Sequence, residues 1–198
     1  MVRWEPGAGE RLRVAALELY VRQGFEQTTV EEIARSVGLT ERTFFRYFAD
    51  KREVLFDPQN LLQEAFLAGV NAAPPTAAPL EMIASALATS AAFFPDDRRN
   101  WSRQRQSVIA ANPALKEREL LKLATLAAAI AEALRARGVA AQAATLAAES
   151  GTTVFGVAFT QWIADGEQRS LAAIEHEVLG ELAALTTGLA TALDRGPA

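Results

Sequence analysis

Apolar residues recur three and four positions apart along nearly the whole chain, and no stretch of useful length alternates apolar with polar residues. A 3.6-residue period buries one face of a helix, whereas a half-buried strand needs a period of two, so the chain is constrained to an all-α fold. Helix-breaking residues divide it: Gly24, Gly38, Pro58, the proline-rich run at 72–79, Pro95, Pro113, Gly138 and Gly166. The segments between them predict about nine helices, near 9–23, 30–37, 41–47, 51–70, 79–93, 97–111, 114–137, 140–165 and 168–193.

Composition excludes several kinds of chemistry. The 198 residues contain no cysteine, which removes disulfides, thiolate metal sites and cysteine nucleophiles, and a single histidine, His176, leaves no two-histidine metal site. No glycine-rich phosphate loop or paired-carboxylate motif with metal-ligand spacing occurs, so neither an enzyme nor a cofactor is expected. Half the residues are apolar with a mean hydropathy of +0.06, and no secretory or membrane-spanning run is apparent, which predicts a soluble cytoplasmic protein. Taken over the whole chain, the net charge of −4 disfavours nucleic acid. However, residues 1–56 carry nine Lys/Arg against nine Asp/Glu, so the acidic excess lies wholly beyond them.

The segment 28–55 carries the densest local signals. Thr29-Val-Glu-Glu32 is a capping box, in which threonine and glutamate each satisfy an orphan amide of a helix start. Gly38 supplies a turn, and Thr40 is an N-cap for the next helix. Before this segment, Leu12, Ala15, Ala16, Leu19 and Tyr20 form one stripe, which Gly24 ends. At about 100° per residue, Phe44 and Phe48 fall on one side of the third helix and Arg42 and Arg46 opposite, while Thr43 and Tyr47 share a flank. The phenylalanines should therefore pack on Phe25, Ile33 and Val37 and leave the arginines outward. Two short helices around a glycine turn, the second presenting cations, are the form in which a helix-turn-helix offers a recognition helix to DNA.

Leu17-Glu-Leu-Tyr20, Gly24-Phe25, Thr28-Thr-Val-Glu-Glu-Ile-Ala34, Val37-Gly-Leu-Thr40, Thr43-Phe-Phe-Arg-Tyr-Phe48 and Asp50-Lys51 with Leu55 together resemble the DNA-binding domain of TetR-type transcriptional regulators. The resemblance covers roughly a quarter of the chain. It implies a three-helix helix-turn-helix domain over 1–50, with 1–9 as a flexible arm, and a larger helical effector-binding and dimerisation domain over 51–198. It also implies a homodimer on double-stranded DNA. Thr29 would hold a phosphate at a helix N-terminus, Arg42 and Thr43, following the Thr40 cap, would read bases, and Tyr47 and Lys51 would bind phosphates. Phe45 departs from the family, which often has a phosphate-bonding tyrosine there; Arg46 would restore some of that affinity. Arg3 of the arm would reach a minor groove, and Trp4 would dock on the small domain.

The remaining helices are alanine-rich. Phe155, Phe159 and Trp162 share one face, and with Phe66 and Trp101 they either fill a bundle core or line an apolar effector pocket. Arg103, Arg105, Gln106, Thr152, Thr153 and Gln161 are its candidate polar contacts. A leucine-rich stripe on the last helix, with Leu182, Leu185 and Leu189, and Phe155 on the helix before it, are the candidate dimer interface, with Gly151 and Gly156 permitting close approach. The function expected is a repressor released from a palindromic operator by a small apolar effector. That effector would shift the helix near 97–111 and swing the long helix beginning near Lys51. The alternative is a helical protein-interaction module with a vestigial helix-turn-helix.

Overall fold

The computed structural model describes residues 7–56 and 60–193, with side chains to 187; Arg3 and Trp4 lie outside it, as do the side chains of Leu189 and Leu193. The described residues form nine α-helices and no strand: α1 (Ala8–Gln23), α2 (Val30–Ser36), α3 (Glu41–Phe44), α4 (Leu61–Ala72), α5 (Pro79–Ala91), α6 (Arg99–Ala110), α7 (Pro113–Ala136), α8 (Ala141–Trp162) and α9 (Leu171–Leu193). The all-α expectation and the helix number both hold.

The chain divides into two compact units, Met1–Leu61 with Trp101–Leu121, and Leu62–Asn100 with Lys122–Ala198. In the first, α1 buries the predicted stripe together with Leu17, and Phe25, Ile33, Phe44 and Phe48 close the core over it. Val108, Ile109 and Leu115, from the end of α6 and the start of α7, complete this core, and Trp101 packs on its edge.

One predicted helix is broken. The continuous helix expected near 51–70 is a 3-10 turn over Glu53–Leu55, an extended Phe56 (φ −112°, ψ 154°) and then α4 from Leu61. Asp50 accepts the amides of Arg52 (2.7 Å) and Glu53 (3.1 Å), fixing a short capped turn. Val54, Leu55 and Phe56, consecutive in sequence, are all buried, which an extended exit permits and a helix pointing each 100° further round does not. No long helix therefore begins at Lys51.

In the second unit α5 packs against α8 and α9. Gly69 lets α4 cross α5 closely: a Cβ there would stand 2.5 Å from Ala86 Cα and 2.6 Å from the Ser85 carbonyl oxygen. Ser85 Oγ donates to the Gly69 carbonyl at 2.7 Å across the same crossing. Arg137, just past α7, donates to the carbonyls of Val70, Asn71 (3.3 Å) and Pro74 (2.8 Å), satisfying oxygens that the end of α4 leaves orphaned. Arg99 opens α6 and stacks 5.2 Å over Trp162 while donating to Asp96 (2.6 Å) and to the carbonyls of Glu167 and Arg169 (2.7 Å).

Candidate DNA interface

The turn between α2 and α3 is built almost entirely from local chemistry. Thr29 Oγ1 accepts the Glu32 amide at 3.1 Å, and Glu32 accepts the Thr29 amide at 2.8 Å, completing the capping box. The Thr29 amide and then its hydroxyl, helped by Gln23 and Arg35, hold the Glu32 carboxyl below its ordinary range. Gly38 takes φ +71°, a conformation a Cβ resists, and Leu39 returns its amide to Ala34 at 2.9 Å. Thr40 Oγ1 then caps α3 by accepting the Thr43 amide at 3.3 Å. Regular α geometry ends at Phe44, and bonds from Arg46 to Thr43 and Tyr47 to Phe44 carry the chain onward to Phe48 as tighter turns.

Phe44 is fully buried and Phe48 nearly so, their rings 5.4 Å apart, as the angular sorting predicts. The opposite face is open. Arg42 and Arg46 are exposed and make no hydrogen bond or ion pair with any described residue, although Arg46 lies 5.8 Å over the Tyr47 ring. Phe45 is 54% exposed, a large apolar surface beside two free guanidinium groups. Thr43 is half-buried, with its hydroxyl 3.1 Å from that of Thr40. Tyr47 rests against α1 where Gly9 leaves room: a Cβ at Gly9 would stand 3.2 Å from its ring.

Two residues expected at phosphates are already engaged. The Lys51 ammonium donates to the carbonyls of Phe25 (3.0 Å), Glu26 (3.3 Å) and Thr28 (3.1 Å) and sits 4.4 Å over the Phe25 ring. Its three protons thus serve the turn that follows α1. Tyr20 Oη donates to the Lys51 carbonyl at 2.6 Å, and burial, with the Asp50 charge adding, holds that phenol far above its usual range. Thr29 in turn is paired with Glu32, so a carboxylate already occupies the start of α2.

Sequence reasoning missed the supports of this face. Arg11 donates to the Val37 carbonyl, tying α1 to the glycine turn. Arg105 donates to the Leu55 carbonyl (2.6 Å) and pairs with Glu119 (3.1 Å), Gln106 also donates to Glu119, and Arg118 pairs with Glu53 at 2.6 Å. Arg105 and Gln106, expected as polar contacts of an effector pocket, are thus engaged within the first unit. Arginines that contact distant carbonyls leave no periodic trace in a sequence.

The aromatic residues expected at a pocket separate in the same way. Trp101 belongs to the first unit. Phe66, Phe155, Phe159 and Trp162 belong to the second, where Phe94 joins them into a continuous cluster with ring centroids 5.4–6.0 Å apart. Phe155 is 6% exposed in the single chain, so it is a core residue and not a free dimer face; Leu182 packs on the same core, whereas Leu185 is 74% exposed. Two open spaces in this unit are lined by neither Phe66, Phe155, Phe159 nor Trp162. A cavity of about 250 Å³ is bounded by Ala88, Ala91, Ala92, Phe94, Pro95, Asp96, Ser170, Leu171 and Ala172. A shallow groove of about 710 Å³ runs along Thr152, Thr153, Gly156, Val157, Thr160, Gln161 and Ala164 of the α8 side, with Leu123. No helix among the described residues is long and apolar enough to cross a membrane.

Comparison with known proteins accounts for both parts of the chain. Residues 12–57 match the bacterial regulatory proteins of the tetR family, and residues 77–187, more than half the chain, match the MftR C-terminal domain. The HTH-type transcriptional regulator TcmR of Streptomyces glaucescens is 48% identical over 71 residues, 36% of this chain and 31% of that protein. The putative mycofactocin biosynthesis transcriptional regulator MftR of Mycobacterium tuberculosis is 44% identical over 39 residues, 20% of each chain. The matched stretches thus span less than a third of either relative. Among solved structures, the fatty acid degradation regulator FadR of Bacillus halodurans superposes with a TM-score of 0.55 at 17% identity, covering 90% of this chain and 95% of its own. The Thermus thermophilus FadR, a TetR-family transcriptional repressor solved with lauroyl-CoA, gives 0.51 at 25% identity over 86% and 91%. With a capped helix-turn-helix at its start and a family-specific helical domain after it, this chain belongs to the TetR family of bacterial transcriptional regulators.

Proposed function

We propose that the protein is a cytoplasmic, sequence-specific DNA-binding homodimer, a repressor that leaves a palindromic operator when a small ligand binds its second unit. The carrying observation is the α2–α3 turn. Its backbone is fixed by two threonine caps and Gly38, its inner face by Phe44 and Phe48, and its outer face presents Arg42 and Arg46 with no hydrogen bond or ion pair to any described residue. Charged groups left unpaired on a rigid, apolar-backed element are suited to base edges and phosphates.

In this reading Arg42 and Thr43, in the first turn of the recognition element, read bases, while Arg46 and the Tyr47 hydroxyl hold phosphates. Phe45 offers an apolar surface to a thymine methyl or a sugar. Thr29 and Lys51 act mainly by holding the turn, since each already satisfies groups of its own unit. Ligand responsiveness is supported by the lauroyl-CoA complex of the Thermus relative. An effector releases DNA only by binding the non-DNA conformation more tightly.

Selection of bound duplexes from random DNA by the purified protein tests the reading. A palindromic motif is expected, with half-sites about 34–36 Å apart or modestly shifted from that. Absence of any enriched motif, or binding insensitive to salt, overturns it. Arg42→Ala is expected to cost roughly 1–3 kcal/mol and to relax one base pair per half-site; an unchanged motif would remove Arg42 from base readout.

A further inference from the structure

Of the ten phenylalanines in the chain, Phe45 is the one that lies exposed; the other nine are buried or half-buried. Its ring is nevertheless anchored. It stands edge-on to the fully buried Phe44, with centroids 5.5 Å apart and planes at 83°, and its amide donates to the Glu41 carbonyl at 2.9 Å in regular α geometry. Phe45 therefore presents an apolar surface, 54% exposed, from a fixed position on α3. Such a surface gains nothing from water and is suited to being covered.

The neighbours of the ring decide what can cover it. Arg42 and Glu41 precede Phe45 by three and four residues, so both border it on the helix surface. Both are exposed, and neither side chain has a hydrogen bond or ion pair with any described residue. Arg46 instead leans toward the other flank, 5.8 Å over the Tyr47 ring. Phosphates repel a carboxylate, so the edge that carries Glu41 beside Phe45 suits base edges, and the flank of Arg46 and Tyr47 suits the backbone. A phenyl ring has neither donor nor acceptor. In the major groove the feature it can select is therefore the C5-methyl group of a pyrimidine, the one apolar mark among the base edges. The lack of a hydroxyl fits this contact, since a tyrosine there would have to desolvate its oxygen against a methyl group.

We propose that Phe45 is a specificity-determining residue that reads a pyrimidine 5-methyl group in each half-site, beside the base pair read by Arg42. The inference rests on the DNA-binding reading and adds to it a chemical mark that the operator must carry. Thymine supplies that methyl group, and so does 5-methylcytosine. In the second case methylation of the DNA strengthens binding without any change of sequence.

Parallel selections by the full-length protein from two random duplex libraries, one containing thymine and one with deoxyuridine in its place, test the proposal. The thymine library should yield a palindromic motif with one required thymine per half-site, and the deoxyuridine library should lose the preference at that position alone. In the enriched duplex, replacing that thymine by deoxyuridine should weaken binding about fourfold per half-site and about fifteenfold when both are replaced, as expected for one buried methyl group each. Fluorescence anisotropy measures the loss, and the same position is compared as cytosine and 5-methylcytosine. A gain with thymine over uracil, with 5-methylcytosine over cytosine, or with both supports the proposal and identifies the base; a gain with neither overturns it. Phe45→Ala should bind the thymine and deoxyuridine duplexes equally, with a thermal midpoint that confirms its fold, and methyl discrimination surviving in that variant also overturns the proposal. The comparison of duplexes by the parent protein needs no variant. A motif found without methyl dependence sinks the role of Phe45 alone, whereas no motif from any library sinks the DNA-binding reading and this role with it.

Discussion

Lys51 shows how a residue's role depends on what its side chain meets. On a helical wheel it is an exposed cation beside a recognition helix, yet its ammonium is spent on three backbone carbonyls and the Phe25 ring. Lys51→Met should destabilise the protein by about 1–2 kcal/mol, because the carbonyls of Phe25 and Thr28 are half-buried and lose a charged donor. Urea unfolding measures that loss. The salt dependence of DNA binding should stay unchanged, whereas a slope smaller by about one would assign Lys51 to a phosphate. Glu175 poses the opposite case, a buried carboxyl with no hydrogen-bond partner among the described residues. Because its folded-state pKa lies above the unfolded value, the native state binds the extra proton, and stability is full below the unfolded pKa of about 4.5 and declines as pH rises toward 8. The loss across that window is on the order of 4 kcal/mol at most. Glu175→Leu should flatten the pH profile of urea midpoints and raise stability at pH 8; a profile as steep as the parent's would show that other groups set it.

Among the elements, α2 and α3 form from signals a few residues apart, and α4 and α5 from an encounter between distant ones. The capping box, Gly38 and Thr40 determine where α2 and α3 begin and turn, and these were legible because each cap bonds an amide three residues on. Gly69 is different. In sequence it is a glycine within an alanine-rich helix, and only the crossing with Ala86 explains it. Gly69→Ala should gain about 1 kcal/mol of helix propensity but lose more by pushing two backbones apart, for a net cost of about 1–3 kcal/mol. Thermal unfolding should show a lowered midpoint; a raised one would mean that α4 shifts freely. The helix expected from Lys51 failed for a related reason. Asp50 caps a single turn, and three consecutive apolar side chains all have to enter one core.

At the scale of the whole molecule, α8 carries two faces. One is buried with Phe155 and Trp162; the other exposes Leu146 (63%) and Val157 (50%) with Thr153, Thr160 and an unobstructed Gly156, and Leu185 of α9 is likewise exposed. Apolar residues repeated along one exposed stripe suit a partner helix, and the proposed homodimer places a second copy there. Val157→Glu with Leu185→Glu should leave the monomer folded, lower dimer affinity at least tenfold in sedimentation equilibrium, and weaken operator binding at the same protein concentration. An unaltered dimer would move the interface to another surface.

Local periodicity and capping by themselves determined the all-α class, the number of helices, the helix-turn-helix and the inward turn of Phe44 and Phe48. These depend on interactions within one or two helical turns, so the order of residues is sufficient to state them. Only the tertiary structure decided what Lys51, Arg105, Gly69 and Glu175 do. A guanidinium or ammonium reaches carbonyls far along the chain, a missing Cβ matters only where two backbones cross, and a carboxylate is orphaned only when packing removes every donor around it. The aromatic residues of α8 divided in the same way: their shared face was legible from spacing, but whether it enclosed a ligand or a core depended on Phe66 of α4 and Phe94 of the segment after α5 packing against it.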